Sequence, residues 1–311
     1  MPTIAPTTEI RLDNATLGAF LRELELIESD LDREELADLP FANGTIVPLD
    51  IQNAPWARTV VYRRLTRTGW FKLVRSYPTD IPMVNVLTEE FTYPVHKWAG
   101  GYYFSDDDIQ AIAHTEIDLE REDIEAVQET ANQTLNDLIA FGDRKLKLPG
   151  FVNHPDAMRS FSPFAFDERS SANQILAVLN DACTTIVEIT MQVEKPDTLL
   201  LPLRQFDYIM TARLDDTQER TIGEHFIRTN AYIKNIQPVN ELKGAGPDGT
   251  DLMIVYCRNP RKVKAKIMME LTWMQLQRKG LGYERPACFK YAGCISRRPL
   301  SMHQVALPNA A

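Results

Sequence analysis

Gly244-Ala245-Gly246-Pro247-Asp248-Gly249 spells G-x-G-x-x-G. In a dinucleotide site such glycines let the backbone approach a pyrophosphate, and a helix begins inside the motif with its N-terminus facing the phosphates. Here the next residues are DLMIVYC, an apolar run of strand character, so the loop reads as a turn between two strands. The histidines, His96, His114, His154, His225 and His303, form no HExxH or HxH pair and no His/Cys spacing that would seed a zinc site. His154-Pro155-Asp156 sets an imidazole near a carboxylate, the pairing of acid–base chemistry, and a Pro-containing loop after a helix explains it as well. The acid clusters Asp106 to Asp108 and Glu120 to Asp123 fall at helix starts, where capping and the helix dipole account for them. Cys183, Cys257, Cys288 and Cys294 lack CxxC spacing and read as thiols of a reducing compartment. Neither a G-x-S-x-G elbow nor a P-loop occurs. The sequence therefore predicts no catalytic residue, no metal site and no cofactor.

The elements that would position any site are easier to read. Thr115 to Gly142 places Ile124, Val127, Ala131, Leu135 and Leu138 at steps of three and four, one apolar stripe down a helix. Glu122, Glu125, Glu129, Asn132, Gln133 and Asn136 fill the remaining arc, and Gly142 supplies a left-handed stop. The helix is expected over about 116–141, roughly 35 Å long, as a spine flanked in sequence by strand-like segments.

Composition bounds the rest. The chain has 311 residues, 44% hydrophobic and 25% charged, as in soluble globular proteins of one large or two ordinary domains. No apolar run has the length of a membrane span, and the N-terminus lacks a signal-peptide core. A net charge of −9 argues against a protein that grips nucleic acid over its whole surface. The charges are segregated: Glu9 to Asp38 carries ten acidic and three basic residues, and Asp106 to Glu129 ten acidic residues against Arg121. Trp56 to Arg75 holds Arg58, Arg63, Arg64, Arg67, Lys72 and Arg75 with no acid. In a monomer these are solvated faces of opposite sign; in a chain that packs against its copies they are complementary surfaces.

In order, Leu17, Phe20, Leu21, Leu24 and Ile27 mark an acidic amphipathic helix, an arm that ends before Pro40. TVVYRRL and GWFKLV alternate as strands around a turn at Thr66 to Gly69, and PMVNVLT and EFTYPVHKW follow as two more; their many charges suit a projecting hairpin. Ser105 caps a short helix, DDIQAIAH. After the spine come a punctuated loop, a second helix with Ile175, Leu179, Ala182 and Ile186 as its stripe, and DTLLLPLRQFDYI as a buried strand. A short helix starts near Thr217; KNIQPVNEL, DLMIVYC, VKAKIMMEL and PACFKYAGCISRRPL close the chain as strands. Helix and strand mix without βαβ alternation, so the class is α+β.

This layout and wording resemble the major capsid proteins of tailed bacteriophages, whose fold is named for phage Hong Kong ninety-seven and shared with encapsulins. GTIVPLDIQNAPWARTVVYRRLTRTGWFKLV resembles that family's approach to its extended loop, and DIPMVNVLTEEFTYPV its return. YYFSDDDIQAIA with the helix ending in AFGDRKLKLPGFVNHP resembles its spine, and LPLRQFDYIMT, ELKGAGPDGTDLMIVY and GLGYERPACFKYAGCISRRPLSM its axial and closing segments. The resemblance implies an N-terminal arm (1–45), an extended β-hairpin loop (46–96), a peripheral domain with the spine (97–195 and 263–311) and an axial domain (196–262).

It further implies a structural, non-enzymatic subunit that forms hexamers and pentamers and closes an icosahedral shell around double-stranded DNA, held non-specifically on the inner face. Assembly in the host cytoplasm, scaffolding, portal and decoration partners, and no membrane, belong to the same expectation. Contacts between copies are expected where the basic hairpin (Arg58, Arg63, Arg64, Arg67, Lys72, Arg75) crosses a neighbour's acidic spine (Glu116, Glu120, Glu122, Glu125, Glu129). Two alternatives stand beside this: an encapsulin-type cage loaded with an enzyme, and a soluble enzyme using the Gly244 to Gly249 loop for a nucleotide.

Overall fold

The computed structural model describes residues 38–73, 83–106, 119–215 and 218–309. The expected arm helix from Leu17, and the short helix beyond Asp106, lie outside the described residues. In chain order the strands and helices are β1 (Leu49–Ile51), β2 (Thr59–Thr68), β3 (Asn85–Pro94), β4 (His96–Ser105), α1 (Leu119–Ala140), β5 (Gly142–Asp143), β6 (Leu148–Pro149) and β7 (Met158–Phe161). Then follow α2 (Ala172–Ile189), β8 (Thr198–Leu201), α3 (Leu203–Thr211), β9 (Arg213–Asp215), β10 (Gln218–Thr221), α4 (Ile222–Thr229) and β11 (Asn235–Pro238). The chain closes with β12 (Asp251–Tyr256), β13 (Val263–Trp273), β14 (Gln277–Arg278), β15 (Gly282–Ser296) and β16 (Met302–Leu307). The mixture is α+β, as the sequence implies.

Two sheets organise the body. In the first, β1 runs parallel to β13, β13 antiparallel to β15, and β15 antiparallel to β4 from Gly282↔Ser105 to Tyr291↔His96. The second has the order β11-β8-β12-β16-β7, with parallel pairs at both edges. Its central strand β12 is buried at every position. Side chains alternate across a strand, and both faces of this one are covered. Leu252, Ile254 and Tyr256 enter the core shared with the first sheet and the end of α1. Met253 and Val255 enter a second core with α2, α3 and α4. Strands β7 and β16, from 158–161 and 302–307, thus share a sheet with the strands of 196–262.

The spine helix is present, about 33 Å long over its described residues. It stops where expected: Gly142 has φ +66°, and a Cβ there would overlap the Leu148 carbonyl oxygen. Its stripe is unevenly covered. Leu138 is buried, but Ile124, Val127, Ala131 and Leu135 are only half-buried. Asn136, assigned to the polar arc, is instead buried. Helix α2 meets its expectation in full, with Ile175, Leu179, Ala182 and Ile186 buried and a capping box between Ser171 and Gln174.

Several expected elements differ. Thr66 to Gly69 is no turn: β2 continues to Thr68, which pairs with Asn85. Residues 69–73 form no strand, and PMVNVLT and EFTYPVHKW resolve into β3 and β4 with the break at Val95. DTLLLPLRQFDYI is a strand only to Leu201. Pro202 then stands at an N-cap, where its missing N–H is harmless, and Gln205 and Ile209 bury one helical face. The next helix, expected to start near Thr217, begins at Ile222 and is capped by Thr221, whose hydroxyl accepts from the Glu224 N–H. The Gly244 to Gly249 loop joins β11 to β12, yet these do not pair, because β8 lies between them. The final strand β16 is one that the sequence pattern did not predict.

Candidate intersubunit surfaces

The projecting hairpin is an antiparallel ribbon in register from Thr59↔Pro94 to Thr68↔Asn85. Directly opposed residues share a face, so Val61, Arg63, Leu65 and Arg67 lie on one side with Thr92, Glu90, Thr88 and Val86. On the other side Tyr62 stacks between Phe91 and Tyr93, with ring centroids 5.0 and 5.9 Å away. The Arg64 guanidinium lies 4.6 Å above the Phe91 ring and donates to the Arg297 carbonyl. Arg297 in turn lies 5.9 Å over Tyr62. This aromatic base fixes the ribbon to the end of β15.

Beyond that base the ribbon has little cover. Val61, Leu65, Val84, Val86 and Leu87 are each more than half exposed. A two-stranded ribbon of this kind cannot supply its own core.

The basic residues are less uniform than the sequence suggests. Arg63 Nε stands 2.7 Å from Glu90 Oε1, both side chains exposed, and Arg64 faces Glu89 across the ladder. The return strand therefore carries acids that offset part of the charge of β2. Arg58, Arg67 and Lys72 are exposed. Arg75 and Glu116 lie outside the described residues. On the spine, Glu120 sits in the first described turn, Glu125 pairs with Arg121 at 3.0 Å, and Glu129 is exposed.

Sequence reasoning missed a groove beside these acids. Between α1 and the β4–β15 face runs a cleft of about 320 Å³, lined by Trp98, Gly100, Gly101, Ala126, Val127 and Phe289 among others. Asp123 is among its lining residues, and partial burial raises its carboxyl above the usual carboxylate range. Glu122 and Glu129 are the i−4 and i+3 neighbours of Ala126 on the helix surface, which makes that rim acidic. The signal for this groove is faint in sequence: small residues (Ala99, Gly100, Gly101, Ala126, Thr130) on two elements whose juxtaposition only the fold supplies.

The residues weighed for chemistry take structural places. Asp248 has φ 56° within a short 3-10 turn at Pro247–Gly249, and β12 follows, so no helix N-terminus faces that loop. His154 is buried, and its Nδ1 accepts from the Asp156 N–H at 3.3 Å as part of a loop turn. All four cysteines are free and buried, with burial pushing the Cys183 and Cys294 thiols up to about 12. No helix among the described residues is long and apolar enough to cross a membrane.

The ribbon leaves apolar residues exposed, and the spine stripe is only half covered among the described residues. The family model for major capsid proteins matches residues 69–305, and the chain belongs to that family. Its fold is that of tailed-phage capsids. The capsid of Myoviridae phage XM1 matches with a TM-score of 0.79 at 18% identity, over 92% of this chain and 97% of that one. Mycobacterium phage Adephagia matches at 0.62 and 14%, over 94% and 98%. A virus-like particle from Pyrococcus furiosus matches less well, at 0.51 and 9%, over 84% and 90%. No curated protein matches. The protein is a structural capsid subunit; the cargo-cage alternative is not favoured.

Proposed function

We propose that this chain builds an icosahedral shell of hexamers and pentamers around the double-stranded DNA of a tailed phage, assembling in the host cytoplasm. Residues 1–45 serve as the arm, 46–96 as the extended loop, 97–195 and 263–311 as the peripheral domain, and 196–262 as the axial domain. Scaffolding, portal and decoration proteins complete the particle, and the DNA is held without sequence preference. The role asks no catalysis of the chain.

The observation that carries this reading is the ribbon β2–β3, whose exposed apolar residues need a covering surface that the described residues of its own subunit do not give them. Segregated charge supports the same geometry: Arg58 and Arg67 on the ribbon would cross Glu122 and Glu129 on a neighbour's spine. Each such exposed pair contributes only about 0.2–1 kcal/mol, but a shell repeats it at every subunit.

Size-exclusion chromatography with light scattering, followed by negative-stain imaging of the heavy fraction, tests the proposal. Closed shells of uniform diameter, carrying DNA when purified from phage-producing cells, are the expected result. A chain that stays monomeric in those cells, where every assembly partner is present, would overturn it.

A further inference from the structure

Cys257 follows β12 and Lys262 precedes β13. The turn between them is held by the Asn259 carbonyl, which accepts the Lys262 N–H at 2.8 Å, and it folds one side chain back onto the other. Lys262 Nζ donates to Cys257 Sγ at 3.1 Å. Two reacting atoms held about 3–3.5 Å apart stand at the distance from which a bond forms. The same amine lies 2.5 Å from Glu194 Oε2, on the link from α2 to β8, and Glu194 is only 3% exposed. Arg298 holds the other oxygen of Glu194 at 2.8 Å. The Cys257 thiol itself points at Asp197 Oδ2, 3.7 Å away. An ion pair accounts for Lys262, Glu194 and Arg298, but it does not call for a thiol against the amine. Among the described residues no other cysteine lies within hydrogen-bond reach of a lysine.

We propose that Cys257 and Lys262 are a site of oxidative cross-linking, closing to a sulfur–nitrogen bond when the folded chain meets hydrogen peroxide. The thiol sulfur attacks a peroxide oxygen: the O–O bond breaks, an S–O bond forms, and the thiol proton leaves with the departing hydroxide as water. Sulfur gives up two electrons and the peroxide takes them. The Lys262 ammonium then passes a proton to Glu194 Oε2, and the freed amine attacks the sulfenic sulfur. The N–S bond forms as hydroxide leaves, and a second amine proton converts that hydroxide to water. Sulfenic acids condense with a backbone nitrogen in the same way, and an amine is the better nucleophile. Burial raises the Cys257 thiol while Lys262 draws it down, so the first step is slow and the second is favoured by position. A reducing cytoplasm keeps the pair open, and a particle that leaves the cell loses that protection. The chemistry goes beyond the shell reading and does not depend on it.

Mass spectrometry of the purified chain tests the site. The protein is treated with hydrogen peroxide, its remaining thiols are blocked, and it is digested without reductant. Trypsin cuts after Arg258 and Arg261, which parts Cys257 from Lys262 unless a bond joins them. The expected product is a joined fragment two hydrogens lighter than its parts, by about 2 Da, that separates on treatment with dithiothreitol. Lys262→Arg keeps a cation beside Glu194 but offers no amine; the joined fragment should be lost, and Cys257 should end as sulfinic acid. A parent chain whose Cys257 stays a thiol, or goes to sulfinic acid with no joined fragment, overturns the proposal. Equal linking in urea would also overturn it, because closeness in sequence and not the folded cluster would then make the bond. Either result leaves the shell reading standing.

Discussion

Asn136 Oδ1 accepts the backbone N–H of Phe41 at 3.1 Å, joining the segment before β1 to the last full turn of the spine. The same side chain reaches the Ala42 N–H and donates from Nδ2 to Glu241 Oε1 at 2.7 Å. One buried amide thus ties together segments 95 and 105 residues away in sequence. Asn136→Ala would leave the buried Phe41 N–H without its acceptor, a loss of about 1–3 kcal/mol. A urea midpoint lowered with unchanged slope is the expected observation; an unchanged midpoint would show that water replaces the amide.

Gly142 is the second fixed point of the spine. Its φ of +66° and the crowding of the Leu148 carbonyl oxygen against the place a Cβ would take leave no room for a side chain. Gly142→Ala should cost more than about 1 kcal/mol, from left-handed backbone strain together with displacement of the β5–β6 turn. Thermal melting of the isolated subunit measures it. Ala126→Ser, on the exposed helix face, is the control and should change little.

The spine, helix α2 and the run DLMIVY were legible because each carries its own period or an unbroken apolar stretch, and Gly142 and Ser171 mark ends by local chemistry. Asn136 was misplaced because helical periodicity ranks it with its polar neighbours, whereas Phe41 and Glu241 come from distant segments. LPLRQFDYI misled because LLL and the following helix form one apolar block, which only Pro202 divides. The opposition of Glu90 and Glu89 to Arg63 and Arg64 depends on a strand register that the turn expected at Thr66 to Gly69 does not give. The groove needs the approach of α1 to β4 and β15, and no single stretch encodes it.

Acid should weaken the subunit through His154 and His303. Both are buried, and burial holds each imidazole below its usual 6.5. Around His303 stand the Ala182 carbonyl, the Ser160 hydroxyl at 2.8 Å and the Asp181 charge; around His154 stand Asp156 and Arg159. The folded state keeps both rings neutral, while the unfolded chain takes up protons as pH falls through 6.5. Their contribution is complete above that value and is lost as pH drops from it toward the folded pKa values. Unfolding midpoints should therefore decline as pH falls below 6.5, and less steeply in His154→Gln. Asp50 acts in a separate window: burial alone would raise its carboxyl, but Lys264 and Lys266 outweigh that and hold it below 3.8. An equally steep decline in His154→Gln would place the acid sensitivity elsewhere.

Arg67 tests charge pairing between copies more cleanly than Arg63 or Arg64. Arg63 already faces Glu90 and Arg64 packs on Phe91, so reversing either disturbs the ribbon itself. Arg67 is exposed and opposes Val86, an apolar partner that a new carboxylate does not repel. Arg67→Glu should leave the subunit's melting temperature within the range of surface changes, about 0.5 kcal/mol. Assembly should respond differently, because the reversal replaces an attraction with a repulsion at every repeat of the contact. Shell yield, followed by light scattering, is expected to fall at low ionic strength and to recover toward the parent as salt shortens the Debye length to about 3 Å near 1 M. Yield equal to the parent's at low salt would mean that the ribbon is held by its apolar residues alone. A loss that salt does not relieve would point to a misfolded ribbon, which the melting curve of the subunit detects independently.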